Sequence, residues 1–171
     1  MQITSAMKMV AAAKLRRAQD AITRMRPYAE KLQAVLSNVS ASLDSGEGVY
    51  SEKRDVKRVL LVAITSNRGL CGGFNNNIIK QVNNAIKQGG AEYHVLPLGK
   101  KANDAFKKDA SLAPQGFGED TWKIFDDLNF DAAQEVAEAI MEQFRAGTYD
   151  AVKIVYNKFV NAAVQNPTME D

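Results

Sequence analysis

Apolar residues recur along the start of the chain at steps of three or four: Ile3, Met7, Val10, Ala18, Ala21, Met25, Tyr28, Leu32, Leu36, Val39 and Leu43, with Lys14 the one polar member of the row. The steps average near the ~3.6 residues of an α-helical turn, which predicts a single long amphipathic helix. At ~1.5 Å per residue it would be about 60 Å long. A 100-residue domain has a radius of gyration of only about 13 Å. A stripe of that length has to find its apolar partner elsewhere: a second helix, another copy, or another protein. The pattern points to a mechanical or assembly role before it points to catalysis.

Pro27 is the one conflict inside this pattern. It removes a backbone hydrogen bond and crowds the carbonyl of Thr23, at about 3 kcal/mol in an isolated helix interior. One reading ends the helix near Arg26 and restarts it. The stripe keeps its phase across the proline, so a bent but continuous helix is expected. Residues 44–51 (DSGEGVYS) are rich in turn formers and are expected to end it.

From Arg58 the periodicity changes. Residues 59–64 (VLLVAI) form a continuous β-branched apolar run, as in a strand buried on both faces. A glycine-rich segment, 65–73, follows it. Phe74, Ile78, Val82 and Ala85/Ile86 then repeat at helical spacing up to Gly89 and Gly90. Residues 93–98 read as a second strand, which Pro97 puts at a sheet edge or ends early. A short helix is expected over 102–108 and a loop over 111–120. Asp131 is a plausible N-cap for a helix carrying Ala133, Val136, Ile140 and Phe144, closed by Gly147 at C′. Residues 151–160 read as a third strand. Strands alternating with helices imply right-handed crossovers and a Rossmann-like α/β domain with an open, mainly parallel sheet. Two units are expected, 1–51 and 52–171.

Composition adds constraints. Hydrophobic residues at 46% and charged residues at 25% are ordinary globular values, and the formal charge of +2 is small. Its distribution is uneven. Up to Leu36 there are seven bases (Lys8, Lys14, Arg16, Arg17, Arg24, Arg26, Lys31) against two acids (Asp20, Glu30), a local charge of +5. The single cysteine, Cys71, excludes an intrachain disulfide, and with one histidine, His94, no metal site of the usual His/Cys kind is expected. No apolar run approaches the ~20 residues that cross a bilayer, and a signal-peptide pattern is missing. The expectation is a soluble chain of a reducing compartment.

The segment 65–74 (TSNRGLCGGF) lies between a buried strand and a helix, where nucleotide-binding folds keep their phosphate loops. Its chemistry differs. A Walker loop needs Lys and then Ser or Thr after its last glycine, whereas Phe74 and Asn75 follow here; a dinucleotide fingerprint needs GxGxxG, whereas these glycines run GxxGG. The expected role of Gly69, Gly72 and Gly73 is a tight turn with close strand–helix packing, and Cys71 is expected to be a buried, inert thiol. His94 is expected to be a satisfied core or edge histidine. Asp126, Asp127, Glu119 and Asp120 read as solvated loop charges. The basic side of the first helix admits a solvated face, nucleic-acid binding, membrane-surface binding, or docking against an acidic protein surface. Nucleic acid would call for interleaved aromatics, of which Tyr28 is the only one before Tyr50. A membrane would call for bulkier residues than the Ala, Met and Val found opposite.

Two strings then carry a family resemblance. Residues 3–19 (ITSAMKMVAAAKLRRAQ) with 26–30 (RPYAE) closely resemble the N-terminal helix of the γ subunit of F-type ATP synthase. Residues 64–75 (ITSNRGLCGGFN) resemble that family's glycine-rich loop, with Asn67 where Asp is usual, and 155–159 (VYNKF) resemble a later strand. The resemblance spans essentially the whole chain. It implies a shortened member: the family's chain begins a short segment earlier and adds further sheet and a C-terminal helix.

The resemblance implies a central-stalk rotor without catalytic residues, cofactor or metal. The first helix would be half of an antiparallel coiled coil along the axis of the catalytic ring of α and β subunits. Met7, Lys8, Lys14, Arg16 and Arg17 would lie where this shaft meets the β subunits. Arg68, Gly69, Cys71, Gly72 and Gly73 would form a structural loop, and Asp44 and Glu47 would lie towards the ring of c subunits. Implied partners are α, β, ε and the c-ring, with no nucleic acid and membrane contact only through the c-ring. The chain alone is expected to self-associate through its long helix. The implied location is the cytoplasmic face of a bacterial inner membrane, or the equivalent mitochondrial or chloroplast face. The alternatives are a nucleotide-binding α/β enzyme and a basic-helix adaptor for nucleic acid or membrane.

Overall fold

The computed structural model describes residues 2–42, 48–50 and 54–171, and the chain divides into two compact units, Met1–Glu52 and Lys53–Asp171. In the first, α1 (Gln2–Ser42) is one unbroken helix of 41 residues with Pro27 inside it. The continuity expected across the proline is found, and the other reading, a break near Arg26, is not. Between Thr4 and Val39 its described side chains are exposed, apart from the half-buried Gln19 and Ile22. Among the described residues no helix is long and apolar enough to cross a membrane.

The second unit is built on a four-stranded sheet in the order β2–β1–β3–β4. Its elements are β1 (Arg58–Ile64), α2 (Phe74–Gln88), β2 (Glu92–Leu98), α3 (Lys100–Phe106), α4 (Phe130–Arg145), β3 (Ala151–Phe159) and β4 (Gln165–Glu170), with 3-10 turns at Ala110–Leu112 and Thr121–Phe125. Strands β2 and β3 both run parallel to β1, and β4 runs antiparallel to β3. The continuous apolar run of β1 is explained by its central place: Val59, Leu61 and Ala63 meet Ile78 and Val82 of α2 on one face, while Leu60 and Val62 join Tyr149 and the Val136–Ile140 side of α4 on the other.

Pro97 stands within β2 on the edge. Glu92 N–H donates to Lys57 O and Leu98 O accepts from Thr65 N–H, so residues 92 and 98 address β1. By alternation Pro97 turns its missing N–H to the free side. Strand β4 had no sequence signal: in QNPTME only Met169 reaches the core, and Pro167 is tolerable because the strand is an edge. Its hairpin turn is held by Asn161 Oδ1, which accepts from Ala163 N and Val164 N at 2.9 and 3.0 Å.

Helix α4 starts two residues earlier than Asp131 suggested. Asn129 is the N-cap, its Oδ1 accepting from Ala132 N at 2.9 Å, and Asp131 falls in the first turn, where a carboxylate suits the helix dipole. At the other end Gly147 N donates to Phe144 O and Thr148 N to Gln143 O, the paired bonds of a Schellman closure with Gly147 at C′. Two arginines add side-chain donors at this end: Arg54 Nη1 donates to Phe144 O (2.8 Å), which also accepts Gly147 N–H, and Arg58 Nη2 donates to Gly147 O (2.7 Å). Asp150 Oδ2 accepts from the backbone N–H groups of Arg58 and Lys57 at 2.8 and 2.9 Å, and these bonds hold its carboxyl below the usual carboxylate range.

Candidate functional site

Two surfaces carry the candidate residues, and each lies within one unit. On α1, Met7, Lys8, Lys14, Arg16 and Arg17 are all exposed. At ~100° per residue they do not share one face: Met7 and Lys14 lie together on the apolar stripe, while Lys8, Arg16 and Arg17 are spread round the flank and back. Arg17, Arg24 and Lys31 recur every seven residues and form the most regular basic row.

The unbroken helix also reveals a stricter apolar seam than the stripe read from spacing alone. Ala11, Leu15, Ala18, Ile22, Met25, Ala29, Leu32, Leu36 and Val39 alternate steps of four and three without a polar residue. A sustained 3.5-residue repeat is the pattern of a left-handed coiled coil. Ala11, Leu15, Ile22 and Ala29 belong to it and not to the stripe, which follows the 3.6 period of a straight helix through Val10, Lys14, Ala21 and Tyr28. Pro27 lies two residues from both Met25 and Ala29, so it sits roughly 160° from each, opposite the seam. Thr23, whose carbonyl loses its donor, is on that same back side, where water can serve it. The proline therefore costs the apolar contact nothing.

The loop between β1 and α2 is organised by a residue outside the glycine string. Asn75, buried in the first turn of α2, accepts Ser66 N–H on Oδ1 at 2.9 Å. Its Nδ2 reaches Ser66 Oγ (3.0 Å), Arg68 O (3.0 Å) and Cys71 Sγ (3.1 Å). Ser66 Oγ donates to Arg68 O at 2.7 Å. Thr65 Oγ1 accepts from Ala102 N at 2.8 Å, tying the loop to α3. Gly99 makes that approach possible: at φ +105° a Cβ there would stand 2.2 Å from Thr65 O. Asn67 bridges further, donating from Nδ2 to Asp126 Oδ1 (2.8 Å) and accepting from Lys100 N (3.0 Å).

The glycines make a turn, and the expected close strand–helix packing at all three is corrected. A Cβ at Gly72 would meet nothing within 4 Å, and its φ of +58° is what requires glycine; one at Gly69 would meet only the end of Lys101 at ordinary contact distance; one at Gly73 would be crowded by the Asn77 side chain at 3.2 Å. Cys71 is also corrected: it is exposed, not buried, because the turn carries the loop tip outward. Leu70 beside it is fully exposed and is, among the described residues, the one non-glycine with positive φ, +59°. The amide of Asn75 and the hydroxyl of Ser66 face inward and are spent on loop backbone, while the Lys101 ammonium stands beside Gly69. Asp44 and Glu47 lie outside the described residues. Asp126 is not merely solvated, since it receives Asn67, and Asp120 pairs with Lys123 at 2.8 Å.

His94 is a buried residue of β2 with both ring nitrogens engaged: Nδ1 lies 3.0 Å from Tyr149 Oη and Nε2 lies 3.3 Å from Glu92 Oε1. Tyr149 is wholly buried and its Oη accepts from Gln115 N at 2.8 Å.

Comparison with known proteins agrees with this architecture. A family model described as ATP synthase matches residues 1–171. The ATP synthase gamma chain of Flavobacterium psychrophilum is 51% identical over 167 residues, and that of Flavobacterium johnsoniae 52% over 168; each match covers 96% of this chain and 57% of the relative. The chain thus spans little more than half the length of these relatives. Among solved structures, the central stalk and c-ring of the Tetrahymena thermophila mitochondrial ATP synthase contains a chain with TM-score 0.68 and 28% identity, covering 98% of this chain and 70% of that one. A long seam-bearing helix, a mainly parallel sheet and the matched strings converge: the chain belongs to the ATP synthase γ-chain family.

Proposed function

We propose that this chain supplies the shaft helix and α/β domain of a central-stalk rotor, coupling rotation of a c-ring to conformational change in a catalytic ring of α and β subunits, and is itself non-catalytic. The observation that carries this is α1: 41 residues of unbroken helix with a 3.5-residue apolar seam and a proline set opposite it. A torque-bearing shaft has to be stiff, which a coiled coil provides, and its bearing surface should slide without deep energy wells. Short apolar and basic side chains against acidic loops of the β subunits suit that need, because charge steering acts over about 8 Å at physiological salt without locking a single contact. Met7, Lys8, Lys14, Arg16 and Arg17 are the proposed bearing residues, Asp44 and Glu47 the proposed approach to the c-ring, and residues 52–171 the proposed seat of ε. Bacterial relatives favour the cytoplasmic face of an inner membrane, with membrane contact only through the c-ring.

The test mixes the chain with a purified ring of α and β subunits and with ε from a Flavobacterium relative. Co-elution with the ring should weaken as salt rises and when Lys8, Arg16 and Arg17 are replaced by Glu, while ε should stay bound to the Glu-substituted chain. No association with either partner, or salt-dependent binding to DNA or anionic vesicles in their place, would overturn the reading in favour of an adaptor.

A further inference from the structure

Hydrogen-bond direction fixes the protonation pattern around His94. The Gln115 N–H can only donate, so Tyr149 Oη accepts it. The phenol proton then goes to the other neighbour, His94 Nδ1, at 3.0 Å. His94 therefore carries its own proton on Nε2, which faces the Glu92 carboxylate at 3.3 Å. The result is one directional chain, Gln115 N–H to Tyr149 O–H to His94 to Glu92, joining the loop at 113–118 to the edge strand β2. Burial raises the Tyr149 pKa above its ordinary value, so the phenol keeps its proton and that proton always needs an acceptor. Ala113, Pro114, Phe117 and Gly118 of the loop wall a cavity of about 440 Å³ along β2.

We propose that the His94–Tyr149 pair is a proton-sensitive latch on this loop. A second proton, taken from solvent by Nδ1, turns the acceptor of the phenol proton into a donor. The Tyr149 O–H then has to rotate towards the side from which Gln115 N–H donates. Two donors compete for one place, and one of them has to give up the phenol oxygen; the Gln115 amide, on the part-buried side, can turn to water. The tyrosine ring is fixed by the core of Leu60, Val62, Leu96 and Leu98, so the loop amide is the group that leaves. The charged groups facing the pair act on the Tyr149 phenol in opposite senses: Glu92, on β2, raises its pKa and Arg58, on β1, lowers it. Arg58 is anchored to Gly147 O and Asp150 to the N–H groups that start β1.

The experiment follows amide exchange and the His94 ring resonances of the whole chain by NMR from about pH 8 to about pH 5, where histidines titrate. At the upper end His94 should show the Nε2–H tautomer. As its ring takes up a proton, the protection factor of Gln115 should fall about tenfold, while those of Leu60 and Val95 hold. His94→Asn, which offers an acceptor in place of Nδ1 but cannot titrate, should keep Gln115 protected throughout. Tyr149→Phe should leave it unprotected at every pH. Unchanged Gln115 protection while His94 titrates, the Nδ1–H tautomer at high pH, or a His94 that stays neutral until the whole domain unfolds would each overturn the latch.

Discussion

Asn75→Ala tests whether a single amide organises the glycine-rich loop. The substitution removes the acceptor of Ser66 N–H at 2.9 Å and the donor reaching Ser66 Oγ, Arg68 O and Cys71 Sγ. Arg68 O keeps Ser66 Oγ as a donor at 2.7 Å, so the main loss is an orphaned Ser66 N–H next to the vacated amide volume. An unsatisfied buried donor costs about 1–3 kcal/mol, and the cavity and remaining bonds bring the sum to about 2–4 kcal/mol. Urea and thermal unfolding of the chain, followed by Trp122 fluorescence within the α/β unit, should report it. At about 4 °C per kcal/mol for a unit of this size, Tm should drop about 8–16 °C. Asn75→Asp should be no better, because its second oxygen would face Arg68 O in place of a donor. Trypsin should also cut after Arg68 faster in both variants, since the turn leading to Leu70 loses its tie. A loss under about 0.5 kcal/mol for Ala, or full rescue by Asp, would show that the glycine turn holds itself and that Asn75 is incidental.

Asn67→Asp, the residue usual in the resembling family, would set a carboxylate against Asp126 where an amide now donates at 2.8 Å; at this exposed site it should cost about 0.5–1 kcal/mol at neutral pH and little below about pH 4, as read from unfolding curves at both. Asp150 has a folded-state pKa below its unfolded value, so its contribution is present above the unfolded pKa near 4 and is lost as pH falls through the folded one; the gap in stability between the native chain and Asp150→Ala should narrow on acidification through that window. The α1 seam, at about 25 cal/mol per Å² of buried apolar surface over several hundred Å², should drive self-association of the isolated chain. Sedimentation should show this association strengthening with salt, because Lys14 and Arg26 border the seam, and Leu15→Asp or Leu32→Asp abolishing it; a monomer at high concentration with α1 ordered would refute the seam.

What could be read from the sequence divides by the range of the interactions involved. The burial of β1 on both faces, the helical spacing of α2 and the closure of α4 at Gly147 are written in local patterns that no distant residue overrides. Strand β4 was invisible because an exposed edge asks little of its side chains: six residues with one core contact and a proline carry no periodicity. The N-cap moved from Asp131 to Asn129 because both are good cap residues two positions apart, and only the packing of Val136 and Ile140 selects the phase. The loop was misread for a different reason. Glycine-rich turns beside buried strands suggest close packing, yet Gly72 faces open space, Gly69 meets only the end of Lys101, and the tight approach to backbone occurs at Gly99, some thirty residues away. Asn67 and Asp126 are 59 residues apart in sequence, and spacing alone cannot pair them.

The shaft helix shows how a rule of local structure can mislead until the surface it serves is identified. Proline inside a helix ordinarily argues for a break, and the choice at Arg26 rested only on the phase of the apolar stripe. With α1 continuous, the position of Pro27 supplies the physical reason. A proline on the seam would open a carbonyl into an apolar contact and push its ring into the partner. Opposite the seam, its missing hydrogen bond is exposed to water, and the ring's clash with the preceding turn bends the helix away from the proline, towards the seam side. That is the direction in which a helix wrapped on a partner has to curve. A proline placed there bends the helix in the sense that a left-handed supercoil requires while leaving every apolar position of the 3.5-residue repeat in register.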